Sequence, residues 1–543
     1  MLHKRLKWTS AAVPLTLSAA LLAACGGNSN NGGASASASA SASTPAAGSP
    51  AASGASAGAS AADTAAKPDT SKKVQLNWYV LGDAHADTPK VMDEWNKMLE
   101  KDLNATVKLN FTSWNDWQSK YNLLLASGEK IDMVFASSWA NYYKYAKQGA
   151  FMDLTGLLPT YAPQTWKEVP QEDWDTATVG GKIYAVPNTN PEYTPNGLVY
   201  REDWREELNL PEIKDLDSLE AYMDGVKKNK KGVTPIGGKA WNEVYTLFTD
   251  YYDFKVYGGE GSVIASSSYD NPRDIVEYPF TPQFEEFVKR MKTWADKGFW
   301  ASNTLSQQTE AGDLIKAGTG AIYWRNAPGA GGFITDVSKT NPDYKLAYFP
   351  FTRFHNYAIP TLPMANAMAI PKSSQNPERS LMVLDKLRND PTYFRLMTYG
   401  IEGTHYSLEA DGKTMDTPPA GMTVSKDWKP YDITSWGWRY QPNMLQTKGG
   451  WDGMDALNKE FAAESKPNIF DPITMDYEPV KSQVAAVNQV FKQYGQPLMM
   501  GLVPDPEKAL ETYRSKLKAA GVDKILDYVK EQANAYFDEK GIK

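Results

Sequence analysis

The sequence has one cysteine and four histidines in 543 residues. A lone cysteine excludes an intrachain disulfide and a cysteine zinc site, and so few histidines argue against a histidine zinc site. The chain also lacks the His-Glu-x-x-His and Walker A spacings and an EF-hand calcium loop. Ser515 and Lys518 have a Ser-x-x-Lys spacing, but they fall in a strongly amphipathic stretch, which favours a structural role. We therefore predict no catalytic residues, no metal and no cofactor.

An excess of positive charge is missing as well, since the formal net charge is −7 at neutral pH. Lys227, Lys228, Lys230 and Lys231 form a local basic run, which is most simply the solvated end of a helix. A mildly acidic surface repels nucleic acid, so no nucleic-acid partner is predicted.

Long apolar segments are absent from the rest of the chain after the N-terminus. No run there approaches the ~20 residues that a membrane-spanning helix needs. The N-terminus has basic residues between Lys4 and Lys7, then an apolar stretch from Ala11 that ends in small residues before Cys25. This order is typical of a secretory signal peptide, and we assign residues 1–24 to it.

Leu22-Ala23-Ala24-Cys25 resembles the lipobox of bacterial lipoproteins. The resemblance implies cleavage before Cys25 and acylation of its thiol and new amine, for example with palmitate. The chain would then be lipid-anchored on the extracytoplasmic face of the cell membrane. The alternative is an ordinary secretory signal with a chance cysteine.

Residues 25–70 are dominated by Ala, Ser and Gly, with an Ala-Ser repeat from Ala34 to Ser43. Such a composition buries no core, so we predict a disordered tether. The remaining ~470 residues are too many for one ordinary core, and at least two lobes are expected. Aromatic residues make up 12% of the chain, and part of this excess is expected to line a ligand site.

Strands and helices alternate three times after the tether. We predict strands at 76–81, 106–111 and 131–135, and a first helix with Thr88 as its cap and Pro89 at its first position. This alternation indicates a parallel sheet covered by helices, whose ligands bind beyond the carboxyl ends of the strands. Asp132 is expected to face backbone amides or a helix terminus instead. Further along, the pattern predicts a helix over 282–297, a hairpin turn at Asp411-Gly412, and two C-terminal helices separated at Gly521.

Four short motifs resemble those of the extracellular solute-binding proteins of carbohydrate ABC importers (family 1). They are Gly149-Ala-Phe-Met-Asp-Leu-Thr155, Gly181-Lys-Ile-Tyr-Ala-Val-Pro187, Ala317-Gly-Thr-Gly-Ala-Ile-Tyr323 and Tyr399-Gly-Ile-Glu-Gly-Thr-His-Tyr406. The last is similar to the LplA-like lipoprotein branch of Gram-positive bacteria, and the resemblance covers essentially the whole chain after the tether.

The resemblance implies an α/β, two-lobed periplasmic-binding-protein-like (type II) fold with a hinge and an interlobe ligand cleft. Lobe 1 would comprise residues 74–187 and 360–398, and lobe 2 residues 190–350 and 399–543. Hinge crossings are expected near 187–190 and 349–360. The implied partners are an oligosaccharide and the permease subunits of an ABC importer, with the protein itself a monomer.

Sugar binding requires flat apolar faces for pyranose rings and planar polar groups for hydroxyl pairs. Trp78 is as compatible with core packing as with ligand contact. Glu402 and His405 are at least as compatible with structural hydrogen bonds as with ligand contact. We expect about half of the candidates to line the cleft. They are Trp78, Asp83, Trp114, Asn115, Trp139, Trp241, Tyr323, Trp324, Arg325, Glu402, His405, Trp436 and Trp438.

The sequence therefore predicts a lipid-anchored receptor that captures an oligosaccharide and is not an enzyme. Two alternatives remain open: a peptide-binding receptor of the same fold, and a surface-anchored glycoside hydrolase, which needs a pair of carboxylates across the scissile bond. The abundance of tryptophan favours sugar over peptide.

Overall fold

The computed structural model describes residues 68–543 except 115, 190, 191, 260, 420, 423–429 and 474. The predicted signal peptide, Cys25 and nearly all of the tether lie outside the described residues, as do the binding candidate Asn115 and residue 190 at the first predicted hinge crossing. Within the described part of the chain, no helix combines the length and apolar character needed to cross a bilayer.

The first part of the chain alternates strands and helices around one sheet. β1 pairs in parallel with both β2 and β3, which confirms the parallel arrangement predicted for the first three strands. The elements are β1 (Val74–Leu81), α1 (Thr88–Leu103), β2 (Ala105–Thr112), α2 (Trp117–Ala126), β3 (Met133–Ala136), α3 (Tyr142–Lys147), α4 (Leu158–Tyr161), α5 (Pro163–Glu168), α6 (Gln171–Thr176), β4 (Thr178–Val179), β5 (Lys182–Ile183) and β6 (Ala185–Pro187).

Helix α1 begins one residue earlier than the sequence predicts. Asp87, rather than Thr88, is the N-cap, because the carbonyl of Asp87 accepts the first helical hydrogen bond, from the amide of Val91 at 3.0 Å. Pro89 lies in the first turn, where its missing N–H costs no hydrogen bond. The buried face of α1 carries Trp95 and Leu99, as the helical periodicity predicts.

The second lobe is built on another sheet with β7 at its centre, antiparallel to β11 and β12. Successive residues of β7 face two different cores, Leu198 the larger one and Val199 the smaller one. The elements are β7 (Asn196–Arg201), α7 (Glu202–Glu207), α8 (Leu216–Asn229), α9 (Trp241–Tyr251), β8 (Lys255–Val256), β9 (Ile264–Ser266), β10 (Ile275–Glu277), α10 (Pro282–Asp296), α11 (Ala311–Lys316), β11 (Ile322–Asn326), α12 (Ala327–Thr340) and β12 (Leu346–Pro350).

The chain then returns to the first sheet. β13 pairs antiparallel with β3 and β6, so that sheet is mixed, with the order β2-β1-β3-β13-β6. β14 and β15 form the predicted hairpin, and the carboxylate of Asp411 accepts the amides of Lys413 and Thr414 at its turn. The elements are β13 (Ala367–Ala369), α13 (Pro377–Asn389), α14 (Pro391–Tyr399), β14 (Ser407–Leu408), β15 (Thr414–Asp416) and β16 (Gln446–Thr447).

Asp132 ties the first sheet to α13. Its carboxylate accepts the backbone amide of Asn77 at 2.9 Å, the hydroxyl of Ser374 at 2.9 Å and the side-chain amide of Asn376 at 3.3 Å. Asn376 is the N-cap of α13, so Asp132 contacts a backbone amide and a helix terminus, as predicted.

The C-terminal helices cover the second lobe. Gly521, with φ 84°, separates the last two helices as predicted. Lys518 is ion-paired with Glu277 and Asp523 at 2.7 and 2.6 Å, which supports the structural role expected for the Ser-x-x-Lys spacing. The elements are α15 (Gly453–Ala463), α16 (Lys481–Val490), α17 (Gln496–Met499) after a π-helical turn, α18 (Pro506–Ala519) and α19 (Val522–Lys540).

The packing of the segment after α14 differs from the predicted division into lobes. That division places residues 399–543 in lobe 2, but Tyr431, Ile433 and Trp438 are buried in the core of the first sheet. The described residues between β15 and β16 have little regular secondary structure, so periodicity gives no indication of which core they cover. Leu457 and Phe461 of α15 pack in the smaller core of the second lobe.

Candidate functional site

A cavity of about 790 Å³ lies where the two lobes and the chain segments between them meet. The first lobe contributes Ser138, Asn141, Tyr143 and Lys144, which follow β3 directly or lie in α3. This position, beyond the carboxyl end of a parallel strand, is where open α/β sheets bind ligands. Residues 194–196 and 359–361, between the lobes, form another part of the wall.

The second lobe contributes two aspartates at the end of α9. The side-chain amide of Asn196 donates to Oδ2 of Asp250 at 3.1 Å, and desolvation by the surrounding protein raises the pKa of Asp250. Asp253 forms an ion pair with Lys255 at 2.8 Å and accepts the backbone amide of Tyr269 at 2.8 Å. Burial acts to raise the pKa of Asp253, but the Lys255 ammonium and these hydrogen bonds outweigh it and lower the pKa.

The C-terminal part of the chain supplies a further part of the wall, with residues between Asn468 and Val484. The side-chain amide of Asn468 donates to the carbonyl of Pro360 at 3.0 Å and to Oδ2 of Asp471 at 2.8 Å. Asp471 faces the concave space, and desolvation there raises its pKa. This wall is therefore fastened to one of the segments that connect the lobes.

Aromatic rings lie among these polar groups. Tyr143, Phe254, Tyr357, Phe470 and Tyr477 all line the cavity. Flat rings and carboxylates around one space can hold both the C–H faces and the hydroxyl groups of a sugar.

None of the described candidates predicted from the sequence is among the residues that line this cavity, and none of the lining residues was predicted. A signal was available, because Asp250 and Asp253 lie in a stretch rich in phenylalanine and tyrosine between Phe248 and Tyr257. That stretch combines rings and carboxylates in the same way as the chosen candidates, but it contains no tryptophan.

Three of the predicted tryptophans, Trp114, Trp139 and Trp436, lie at the carboxyl edge of the first sheet. Trp114, after β2, is 42% exposed, and its ring lies 5.5 Å from that of Trp436. Trp139, after β3, is 44% exposed and donates its Nε1–H to the carbonyl of Ala365 at 2.8 Å. Asp83, in the loop after β1, is also exposed. The structure thus brings the predicted strand-end segments to one edge of the sheet.

Trp78 and Trp438 lie in the first core, with edge-to-face rings 5.0 Å apart. The Nε1–H of Trp438 donates to the hydroxyl of Thr398 at 3.1 Å. Both rings are buried, so in this conformation they support the sheet beneath the exposed tryptophans.

Trp241, Tyr323, Trp324 and Arg325 form a separate group in the second lobe, outside the cavity wall. Trp241 and Tyr323 are buried, Trp324 is half-buried, and the exposed Arg325 guanidinium lies 5.1 Å from the centre of the Tyr323 ring. Beside them, the buried Glu243 accepts the backbone amide of Trp324 at 3.2 Å.

His405 is buried and makes two hydrogen bonds. Its Nδ1 accepts the amide of Ile401 at 2.8 Å, so Nε2 carries the proton of the neutral ring and donates to Asp87 at 3.1 Å. That bond lowers the pKa of Asp87. Glu402 is exposed in the same turn. Potential metal-ligand atoms of His85, Asp87 and His405 lie within 4.8 Å of one another, but these hydrogen bonds occupy both nitrogens of His405, which favours a structural cluster.

Two α/β lobes with a ligand-sized cavity at their junction define a binding protein of the type II periplasmic fold. Residues 83–385, more than half of the chain, match the family described as bacterial extracellular solute-binding protein. The chain belongs to this family. It is a binding protein rather than an enzyme.

Three similar proteins agree with this assignment. A carbohydrate ABC transporter substrate-binding protein of Streptococcus pneumoniae serotype 4 is 24% identical over 87% of this chain and 93% of its own length. The polygalacturonan/rhamnogalacturonan-binding protein YtcQ of Bacillus subtilis is 25% identical over 67% of this chain and 72% of its own. The crystal structure of the N-glycan transport solute binding protein NgtS from Streptococcus pneumoniae shares the fold, with TM-score 0.69 and 19% identity over 86% of this chain and 100% of that one.

Residues 473–538 match a second family, described as a domain of unknown function (DUF3502). This region includes α16 to α18 and most of α19, and its first residues line the cavity, among them Ile473, Tyr477 and Lys481. The matched region therefore supplies part of the cavity wall as well as helices that cover the second lobe.

Proposed function

We propose that this protein captures an extracellular oligosaccharide in the cavity between its lobes and delivers it to the permease subunits of an ABC importer. The observation that carries the proposal is the composition of the cavity wall, where aromatic rings lie among carboxylates and amides around about 790 Å³. Ligand sites of this size class bind small molecules and short oligomers, roughly 300–1,000 Å³ being typical. The names of two relatives, which give carbohydrate and polygalacturonan/rhamnogalacturonan as their ligands, support the same ligand class.

Three rings at the edge of the first sheet extend the proposed site. Trp114 and Trp139 are exposed after β2 and β3, and the half-buried Trp436 lies beside Trp114. Ser138 and Asn141 reach the cavity from the same edge. In this proposal a longer sugar chain runs from the cavity onto these rings. The binding roles predicted for the other candidates remain predictions.

The segments between the lobes provide the hinge in this proposal. Tyr193 and Pro360 form a β-bridge, and the amide of Thr361 donates to the carbonyl of Glu192 at 2.9 Å, so the two crossings run side by side. A ligand that contacts Lys144 on one lobe and Asp250 on the other stabilises the closed arrangement, because only that arrangement offers both sets of contacts.

The proposal places the protein on the outer face of the membrane through a lipid on Cys25. Replacing Cys25 with serine in the full chain should move the protein from the membrane fraction of its host to the medium. Retention of the serine variant in the membrane fraction would argue against lipid attachment at this position.

The ligand class is tested by calorimetric titration of the protein with neutral oligosaccharides and, separately, with short peptides, followed by chromatography of each bound ligand. We expect an oligosaccharide to bind with a dissociation constant in the micromolar range, about −8 kcal/mol, and to be recovered intact. In the Asp250→Asn variant the affinity should fall, because one charge-assisted hydrogen bond is lost. The matched control is Asp343→Asn, at an exposed position outside the cavity. Binding of peptides alone would replace sugar with peptide as the ligand.

A further inference from the structure

The charges of the cavity wall are unbalanced. Its described residues include five carboxylates and three lysines. Two of the lysines are neutralised locally: Lys255 pairs with Asp253 at 2.8 Å, and Lys481 pairs with Glu478 at 3.3 Å. Local pairs of this kind contribute little net field to the space beside them.

The remaining three carboxylates receive hydrogen bonds from neutral groups. The side-chain amide of Asn196 donates to Asp250, that of Asn468 donates to Asp471, and the backbone amide of Glu478 donates to Asp476 at 3.3 Å. Neutral donors orient a carboxylate but leave its charge in place. Lys144, from the first lobe, is the third lysine of the wall.

The imbalance acts inside a concave space, where protein replaces much of the surrounding water. Desolvation raises the pKa of both Asp250 and Asp471, so an additional negative charge nearby is disfavoured further. Charges in a partly desolvated site interact more strongly than fully solvated charges do. Hydroxyl groups, in contrast, donate to carboxylates and form charge-assisted hydrogen bonds.

We infer that the cavity selects uncharged oligosaccharides, whose hydroxyls donate to Asp250 and Asp471, and rejects chains of uronic acids. This inference rests on the proposed function and names the ligand class of the same site. It separates this protein from the Bacillus subtilis relative, whose name gives polygalacturonan as a ligand. Two members of the same family would then bind ligands of different charge.

The test compares matched ligands. Each neutral oligosaccharide that binds the full-length protein, from a panel of manno-, malto-, cello- and galacto-oligosaccharides, is titrated beside its counterpart oxidised to the carboxylate at C6. We expect the oxidised form to bind at least tenfold more weakly at low salt, and the difference to narrow as NaCl screens the charges. Oligogalacturonides and their methyl esters form a second matched pair, in which esterification removes the charge and keeps the backbone.

Charge-removing variants separate repulsion from a steric effect of the added carboxylate. In the double variant Asp250→Asn, Asp471→Asn, the preference for the neutral member of a pair should shrink severalfold, because the wall loses two charges while keeping polar groups of the same shape. The Asp343→Asn control should retain the full preference. Equal or tighter binding of the oxidised ligands, or an unchanged preference in the double variant, would overturn the inference while sugar binding itself stands. Binding of no carbohydrate at all would overturn the proposed function and this inference with it.

Discussion

Glu243 makes the stability of the second lobe depend on pH in a direction opposite to that of most carboxylates. It lies on α9 with 3% of its surface exposed, and Oε1 accepts the amide of Trp324. Its Oε2 is buried without a hydrogen-bond donor among the described residues. Desolvation raises the pKa of Glu243 from 4.5 to about 7, so the native state favours the protonated form.

The direction of this pH dependence follows from the number of protons that the native and unfolded states bind. Between pH 4.5 and 7 the native state holds a proton on Glu243 that the unfolded state has released, so this group's contribution to stability falls as the pH rises. Each pH unit between the two pKa values corresponds to about 1.4 kcal/mol. The contribution is fully present below pH 4.5, and about 3 kcal/mol of it has been lost at pH 8.

The perturbation is Glu243→Gln, which keeps the shape and an oxygen for the Trp324 amide but carries no charge at any pH. The free energy of unfolding of the variant minus that of the parent should rise by about 3 kcal/mol between pH 4.5 and pH 8. Guanidinium unfolding followed by tryptophan fluorescence measures this difference, provided that the two proteins have equal m-values.

Glu511→Gln is the matched control, since Glu511 is exposed on α18. Its difference from the parent should be flat across the same pH range. If the Glu243→Gln difference is equally flat, water or a cation reaches the carboxylate in the native state and the reasoning from burial is wrong.

Three further predictions concern the site and the packing. Trp114→Ala should weaken oligosaccharide binding severalfold in calorimetry with a melting temperature close to that of the parent, because the ring is 42% exposed; unchanged affinity would remove this ring from the proposed site. Gly501→Ala should destabilise the protein by about 2 kcal/mol or more, since φ is 61° and the new Cβ would lie 2.3 Å from the carbonyl oxygen of Met291. Gly332 in α12 is the control, because a Cβ added there meets no other atom within 4 Å and Gly332→Ala should be neutral or stabilising. Equal changes in melting temperature for the two glycine variants would show that the contact with Met291 and the positive φ of Gly501 do not matter. Asp132→Ala should lower the free energy of unfolding in urea by about 1–3 kcal/mol, because it leaves the partly buried donors Asn77 and Ser374 without their acceptor. A loss well below that range would show that water replaces the carboxylate.

Local patterns in the sequence determined much of the fold. The helix predicted over 282–297 is α10 (Pro282–Asp296), and the turn at Asp411-Gly412 and the break at Gly521 are where they were expected. Each depends on residues a few positions apart, because capping, turn chemistry and helical periodicity act within one or two turns of chain. The motifs that resemble solute-binding proteins identified the family, which the match over residues 83–385 confirms.

Only the tertiary structure decided which aromatic residues are core and which face a ligand. Trp78 and Trp114 were both predicted to contact a ligand, yet Trp78 is buried against Trp438 and Trp114 is exposed beside Trp436. Those partners lie more than 300 residues away in the chain. Periodicity reports that a residue is suited to burial, but it does not report what the rest of the chain places over it.

The residues that line the cavity could not be predicted from local patterns in the sequence either. Asp250 lies in the last turn of α9, whereas Asp471 and Tyr477 come from a segment more than 200 residues later, and Ser138 comes from the other lobe. Their shared space, and the charge imbalance within it, exists only because the fold brings these segments together. The sequence by itself determined the elements and the class of protein, since both depend on local order, and the folded chain decided the binding surface, since that depends on contacts between distant segments.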